Sequence, residues 1–223
     1  MGARIISVAH RKGGIGKTSI TLHLATALAT VKKMKVLILD TDSQKSALGY
    51  REHEQQNVYE GEAGPYPIEA VPTRYLYDDI KRNYDKYDVI FIDVPRLTET
   101  AEDSQLTTAL AYCDSILIPM VAGELEALST TQFVQLVKGI AENKKKNDHD
   151  FTYFGFLNKR NQRKENDEAV EFMETLGVPM FKSSLSDVKA LSRPYTFESV
   201  LDSAEGKRRF EPFFKEFLKK FEI

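Results

Sequence analysis

A single cysteine, Cys113, stands among 223 residues, so the chain can close no internal disulfide and offers no thiolate cluster to a metal. That scarcity fits a reducing cytosol, with Cys113 a small core residue. An excess of charge is missing too. The 31 Lys and Arg face 33 Asp and Glu, which excludes a globally basic nucleic-acid binder and leaves any such surface to a local patch. No apolar run approaches the ~20 residues that span a bilayer, and the first residues lack the apolar segment of a secretory leader. These absences predict a soluble, cytoplasmic protein. What is present, 42% hydrophobic residues, suffices for a substantial core, and the length suits one large domain over 1–223. No internal repeat or domain boundary is visible.

The charge balance hides an asymmetry. Residues 40–104 hold 7 Lys and Arg against 15 Asp and Glu, whereas residues 138–164 hold 8 against 3. Apolar runs of strand length recur at 5–9, 36–39, 89–92, 116–120, 153–157 and 178–181. They are rich in branched residues and do not alternate, as expected of strands covered on both faces. Helical period marks 18–31 and 125–142. Strands alternating with helices predict an α/β fold, a doubly wound, mainly parallel sheet flanked by helices. Residues 50–67, with their glycines, prolines and charges, show no clear period and read as a surface excursion. Residues 144–150, KKKNDHD, read as a charged loop.

HRKGGIGKTS, residues 10–19, follows the first strand and opens the first helix. This is the strand, loop, helix setting of a phosphate-binding P-loop. Gly13, Gly14 and Gly16 let the backbone N–H groups around Ile15 turn toward one anion, and the helix N-terminus that begins near Ser19 adds partial positive charge. Lys17 has the reach for β- and γ-phosphates, and the Thr18 hydroxyl can bind Mg²⁺. The general pattern wants glycine at position 11, where this chain has Arg11, and a second lysine, Lys12, precedes the glycines.

Two acidic motifs follow. VLILDTDSQKSA, residues 36–47, sets Asp40 and Asp42 just past a buried strand, at the end where open α/β sheets bind ligands. Aspartates there also cap helices. YDVIFIDVPRL, residues 87–97, ends a strand in Asp93, the Walker B arrangement that holds a Mg²⁺-bound water near phosphates. FGFLNKRN, residues 154–161, ends another strand with Asn158, whose amide matches an adenine edge and equally serves a local turn.

Together the K-G-G-x-G-K-T loop, the D-x-D segment and the D-x-P strand end resemble the deviant Walker A group of ParA/MinD-type ATPases, across nearly the whole chain. Compact ParA plasmid partition proteins without an N-terminal helix-turn-helix are the most similar. The chain departs from the family at Ser43 and Arg96, where prolines are usual. The resemblance implies a SIMIBI-like P-loop NTPase that hydrolyses ATP with Mg²⁺, weakly without a stimulating partner. It implies that Lys12 crosses a homodimer to the partner's ATP, that Asp42 activates the attacking water, and that Asp40 supports the magnesium shell. It further implies that Asn158, with the loop at 182–186, contacts the base. Lys12 as an ordinary solvated lysine is the alternative.

The partners implied are non-specific DNA, which gives a nucleoid-associated location, and a ParB-like centromere-binding or adaptor protein. Non-specific DNA binding needs cations spread over a face. Lys189, Arg193, Lys207, Arg208, Arg209 and Lys215 are the candidates, with 144–146 as a second patch. The chain has no room for a separate operator-reading domain, which argues against repression. The final segment carries Phe210, Phe213, Phe214, Phe217, Leu218 and Phe221 at helical spacing. Such a stripe either packs on the sheet, the favoured outcome, or lies on a membrane as in a MinD-like spatial regulator. Redox use of the same fold, as in the nitrogenase iron protein, needs two cysteines per subunit. Metabolic use, as in dethiobiotin synthetase, is the remaining alternative.

Overall fold

The computed structural model describes residues 2–94, 100–123, 127–161 and 164–223. Its strands are β1 (Arg4–Val8), β2 (Val36–Asp40), β3 (Ile68–Ala70), β4 (Val89–Asp93), β5 (Ser115–Val121) and β6 (Thr152–Asn158). Its helices are α1 (Lys17–Thr30), α2 (Ser46–Asn57), α3 (Leu76–Asn83), α4 (Thr100–Ala111), α5 (Ala127–Lys146), α6 (Glu165–Thr175), the single turn α7 (Lys189–Ser192) and α8 (Ala204–Phe221).

The strands form one sheet in the order β3-β2-β4-β1-β5-β6, every pairing parallel. Successive side chains of a strand point to opposite faces, and here both faces are covered. Along β4, Val89 and Phe91 enter one core with α1 and α8, while Ile90 and Ile92 enter the other with α4 and α5. This is why the strand runs do not alternate. Chain order reverses around β1, so the loop after β1 lies at the crevice where doubly wound sheets take ligands.

The terminal helix resolves one open question of the sequence. Phe210, Phe213, Phe214, Phe217 and Phe221 are all buried, and Phe213 and Phe221 are in ring contact with Phe154, Phe156 and Phe181. The stripe is spent on the core, and among the described residues no helix is long and apolar enough to cross a membrane. Ser203 caps α8 through the N–H of Gly206 at 2.9 Å. A Cβ on Gly206 would lie 1.8 Å from the Val200 carbonyl, so only glycine permits that approach.

Three expectations need correction. The run at 178–181 forms only an isolated bridge, Gly155 to Met180. Gly155 donates to the carbonyl of Pro179 at 2.9 Å, and proline has no N–H with which to extend a ladder. Residues 50–67 are a surface excursion only over 58–65, because α2 continues to Asn57 and buries Arg51 and Glu54, and Tyr66 beyond it is buried as well. Residues 144–146 belong to α5, and the Lys144 ammonium donates to the Cys113 carbonyl while lying 5.5 Å over the Phe151 ring. Lys144 is therefore tied to the turn before β5, whereas Lys145 and Lys146 are exposed. Cys113 itself is fully buried. Pro95, Arg96 and Leu125 lie outside the described residues.

Candidate nucleotide site

The loop between β1 and α1 folds as its glycines require. Gly14 and Gly16 have φ of +76° and +95°, a region open to glycine and costly for other residues. The Lys17 ammonium crosses the loop to the Lys12 carbonyl at 2.9 Å, and the Lys12 N–H donates to Nδ1 of buried His10 at 3.0 Å. His10 was invisible as a site residue in sequence. Burial, reinforced by the charges of Lys17 and Lys12, pushes its pKa down to about 3, so Nδ1 stays available as an acceptor. Arg11 donates to Gln132 at 2.9 Å, tying the other side of the loop to α5.

Gly13, Gly14, Gly16, Lys17, Thr18 and Ser19 line a cavity of about 230 Å³ that Asp42, Ser46, Tyr50 and Val94 complete. A second cavity of about 280 Å³ shares Gly14, Gly16 and Ser19 and adds Asn158, Lys159, Ser186, Asp187 and Leu191. The two form one trough along the loop. Asn158 donates through Nδ2 to the Ile15 carbonyl at 2.8 Å, and Lys159 donates to the Gly14 carbonyl at 2.9 Å. The end of β6 is thus bound to the loop at two points. Of the loop 182–186, Ser186 reaches the trough. Glu216 on α8 holds that loop by accepting the N–H groups of Lys182 and Ser183 at 2.9 and 2.8 Å.

The two strand-end carboxylates do different things. Asp40 accepts backbone N–H groups from Asp42, Ala47 and Leu48 at 3.1, 2.9 and 3.2 Å. These bonds tie Asp40 to the first turn of α2, the capping use that the sequence allows. Asp93 is fully buried and accepts the Thr18 hydroxyl at 2.9 and 3.2 Å. Burial, then the charge of Asp40, pushes its pKa up to about 8, against the opposing pull of Thr18 and Lys17.

A hydroxyl that lines the phosphate cavity, with one carboxylate bonded behind it, suits Mg²⁺, which prefers oxygen donors, few of them from protein, and substrate phosphates for the rest. Among the described residues no cluster of three or more His, Cys, Asp and Glu offers an all-protein cage. Thr18 and Asp93 are the residues that would hold the ion, and a cation there would keep Asp93 ionised.

A match to the CobQ/CobB/MinD/ParA nucleotide binding domain covers residues 6–200. The chain belongs to that family. Family relatives include the chromosome partitioning protein ParA of Myxococcus xanthus, 30% identical over 172 residues. That match covers 60% of this chain and 59% of the relative, so the chain spans under two thirds of that protein. Maintenance of carboxysome distribution protein A of Halothiobacillus neapolitanus is 25% identical over 181 residues, 81% of this chain and 78% of the relative. In fold, the chain is similar to the ATP complex of a McdA variant from Cyanothece, with TM-score 0.72 and 15% identity over 99% of this chain and 97% of that one. It is also similar to a putative plasmid partition protein from Borrelia burgdorferi bound to AMPPNP, with TM-score 0.71 and 21% identity over 99% and 100%.

The basic candidates divide. Lys189, Arg193, Lys207 and Arg208 are exposed. Lys215 is exposed as well, in a surface pair with Glu211 at 3.0 Å, whereas Arg209 is half-buried with Nη1 3.5 Å from the Ser186 hydroxyl.

Proposed function

We propose that the chain is an ATP-dependent partition ATPase: ATP closes a homodimer, the dimer holds DNA without sequence preference, and hydrolysis releases it. The observation that carries this reading is the placement of Asp42 in one cavity with Gly13, Lys17 and Thr18. A carboxylate faces a phosphate cradle there, which is the pairing that in-line attack by water needs.

In this scheme the loop N–H groups and Lys17 bind the phosphates, and Asp42 orients and accepts a proton from the attacking water. The metal, when bound by Thr18 and Asp93, supplies charge neutralisation on the phosphates. Lys12 of each subunit reaches the phosphates of the partner's ATP only in the dimer, which makes assembly and nucleotide state mutually dependent. The names of the Myxococcus and Borrelia proteins support partition. The burial of the α8 stripe favours a DNA surface over a membrane-associated, MinD-like regulator. A ParB-like or adaptor protein would stimulate turnover and specify cargo.

The test compares Lys17→Ala and Asp42→Ala with the parent chain for binding of a nonhydrolysable ATP analogue and for phosphate release. Lys17→Ala should bind nothing, whereas Asp42→Ala should bind and not turn over. Unimpaired hydrolysis by Asp42→Ala would remove the basis of the proposal.

A further inference from the structure

Ser46 and Tyr50 lie four residues apart on α2, hence on one face of it, and both line the 230 Å³ cavity opposite the loop residues. The adjoining stripe of α2 is the inward one, with Ala47, Arg51 and Glu54 buried, while Tyr50 keeps 39% of its surface exposed. A tyrosine on the open face of a helix, at a polar cavity, calls for a chemical reason.

The helix is fixed so that it cannot roll. At its start, Asp40 accepts the N–H groups of Ala47 and Leu48. Lys45 just before it, at φ +50°, closes a tight turn by donating its N–H to the Asp42 carbonyl at 2.9 Å. Further along, Arg51 donates to the Thr196 hydroxyl and to the Tyr66 carbonyl, both at 2.8 Å. Glu54 accepts the Thr196 N–H at 2.6 Å. The side that carries Ser46 and Tyr50 is thereby held toward the cavity, next to Asp42.

The loop and the α1 N-terminus bind phosphates that a diphosphate and a triphosphate share. On the nucleotide reading, groups that line the cavity beside Asp42 are placed to meet what extends beyond the β-phosphate. Hydroxyls are suited to that place, since an O–H donated to an anionic oxygen is among the stronger hydrogen bonds.

We infer that α2 forms the terminal-phosphate wall of this site: the hydroxyls of Ser46 and Tyr50 contact the γ-phosphoryl group and make the site favour a nucleoside triphosphate over the diphosphate. The inference rests on the nucleotide reading above and deepens it.

Calorimetric titration of the full chain with ADP and with a nonhydrolysable ATP analogue, in Mg²⁺, tests it on the parent, Tyr50→Phe, Ser46→Ala and Lys17→Ala. Loss of either hydroxyl should weaken the analogue about tenfold and leave ADP within about twofold. Analogue binding that is unchanged in both variants, or weakened equally with ADP, overturns the inference while the Lys17→Ala arm still reports on the phosphate cradle. A parent chain that binds neither nucleotide overturns both. Tyr50→Phe keeps the ring, and thermal melts of the nucleotide-free variants show that lost affinity is not lost fold.

Discussion

Asp40 and Asp93 are register partners on the adjacent parallel strands β2 and β4, yet among the described residues only Asp40 accepts hydrogen bonds from the backbone. Asp40 spends both oxygens on N–H groups of the turn and helix that follow it. Asp93, fully buried, has the Thr18 hydroxyl. The backbone thus anchors Asp40, while Asp93 is bonded to the hydroxyl of the phosphate loop. Parallel pairing is what sets them side by side, since it brings the carboxyl ends of both strands to the same edge of the sheet.

This arrangement predicts a stability difference that grows with pH. Asp93 has its pKa raised from 3.8 to about 8, so between those values the folded state binds a proton that the unfolded chain has released. Stability must then fall as pH rises across that window. Asn in its place does not titrate. Urea unfolding of nucleotide-free, metal-free protein should show Asp93→Asn gaining on the parent from pH 5 to pH 8, by at most about 1.4 kcal/mol per pH unit. The same variant should lose the Mg²⁺ dependence of nucleotide affinity. A gap constant with pH would mean that Asp93 is ionised without a cation.

Lys12 supplies a second prediction. Its backbone is engaged on both sides, by Lys17 and His10, so side-chain removal leaves the loop's geometry standing. Lys12→Ala should keep most of the nucleotide affinity of a single subunit and lose dimerisation with an ATP analogue, read by light scattering. A dimer that forms as in the parent would return Lys12 to the role of a solvated loop lysine.

On the basic surface, exposed Lys207 and Arg208 differ from half-buried Arg209. Contacts to phosphate displace counterions, so each one lost should lower the salt slope of binding by about 1 and weaken every duplex alike. Arg208→Ala and Lys207→Ala should do this in mobility shifts on two unrelated duplexes with an ATP analogue, and ADP should release the DNA. Binding that discriminates between the duplexes, or that ignores the nucleotide, would contradict it.

Much of this was legible in sequence because the informative residues are close together. Gly14, Gly16, Lys17 and Thr18 announce a phosphate loop by spacing alone, and strands buried on both faces print as unbroken apolar runs. What was illegible depends on distant partners. Arg51 and Glu54 look like solvent residues, and only Thr196 and Tyr66, remote in the chain, explain their burial. β3, three residues long, is too short to print a pattern. Whether Asp40 caps or coordinates is a matter of ångströms, and the fate of the α8 stripe turned on Phe156 and Phe181 being there to receive it. Tyr50 lies outside every motif, and Ser46 is an unremarked position within residues 36–47.

His23 provides the last prediction, one that tests the core and not the site. It lies on α1, buried, with its ring 5.6 Å from Phe210 and Nε2 3.2 Å from the Leu191 carbonyl. The neutral ring therefore donates from Nε2 and joins α1 to α7. Burial lowers its pKa from 6.5 to about 4, opposed by the Leu191 hydrogen bond. Between these values the unfolded chain takes up a proton that the native ring refuses, so this contribution to stability is lost as pH falls from 6.5 toward 4. His10, lowered to about 3, acts in the same direction. Replacing one histidine should remove its share of the acid sensitivity. His23→Gln retains a donor for the Leu191 carbonyl and has no proton to gain. Its unfolding free energy should drop less than the parent's between pH 6.5 and 4.5, by about 2 kcal/mol, as read from urea titrations at intermediate steps. Parallel curves for the two proteins would show that the ring is protonated inside the fold, and that the contact with Leu191 is not made by a neutral imidazole.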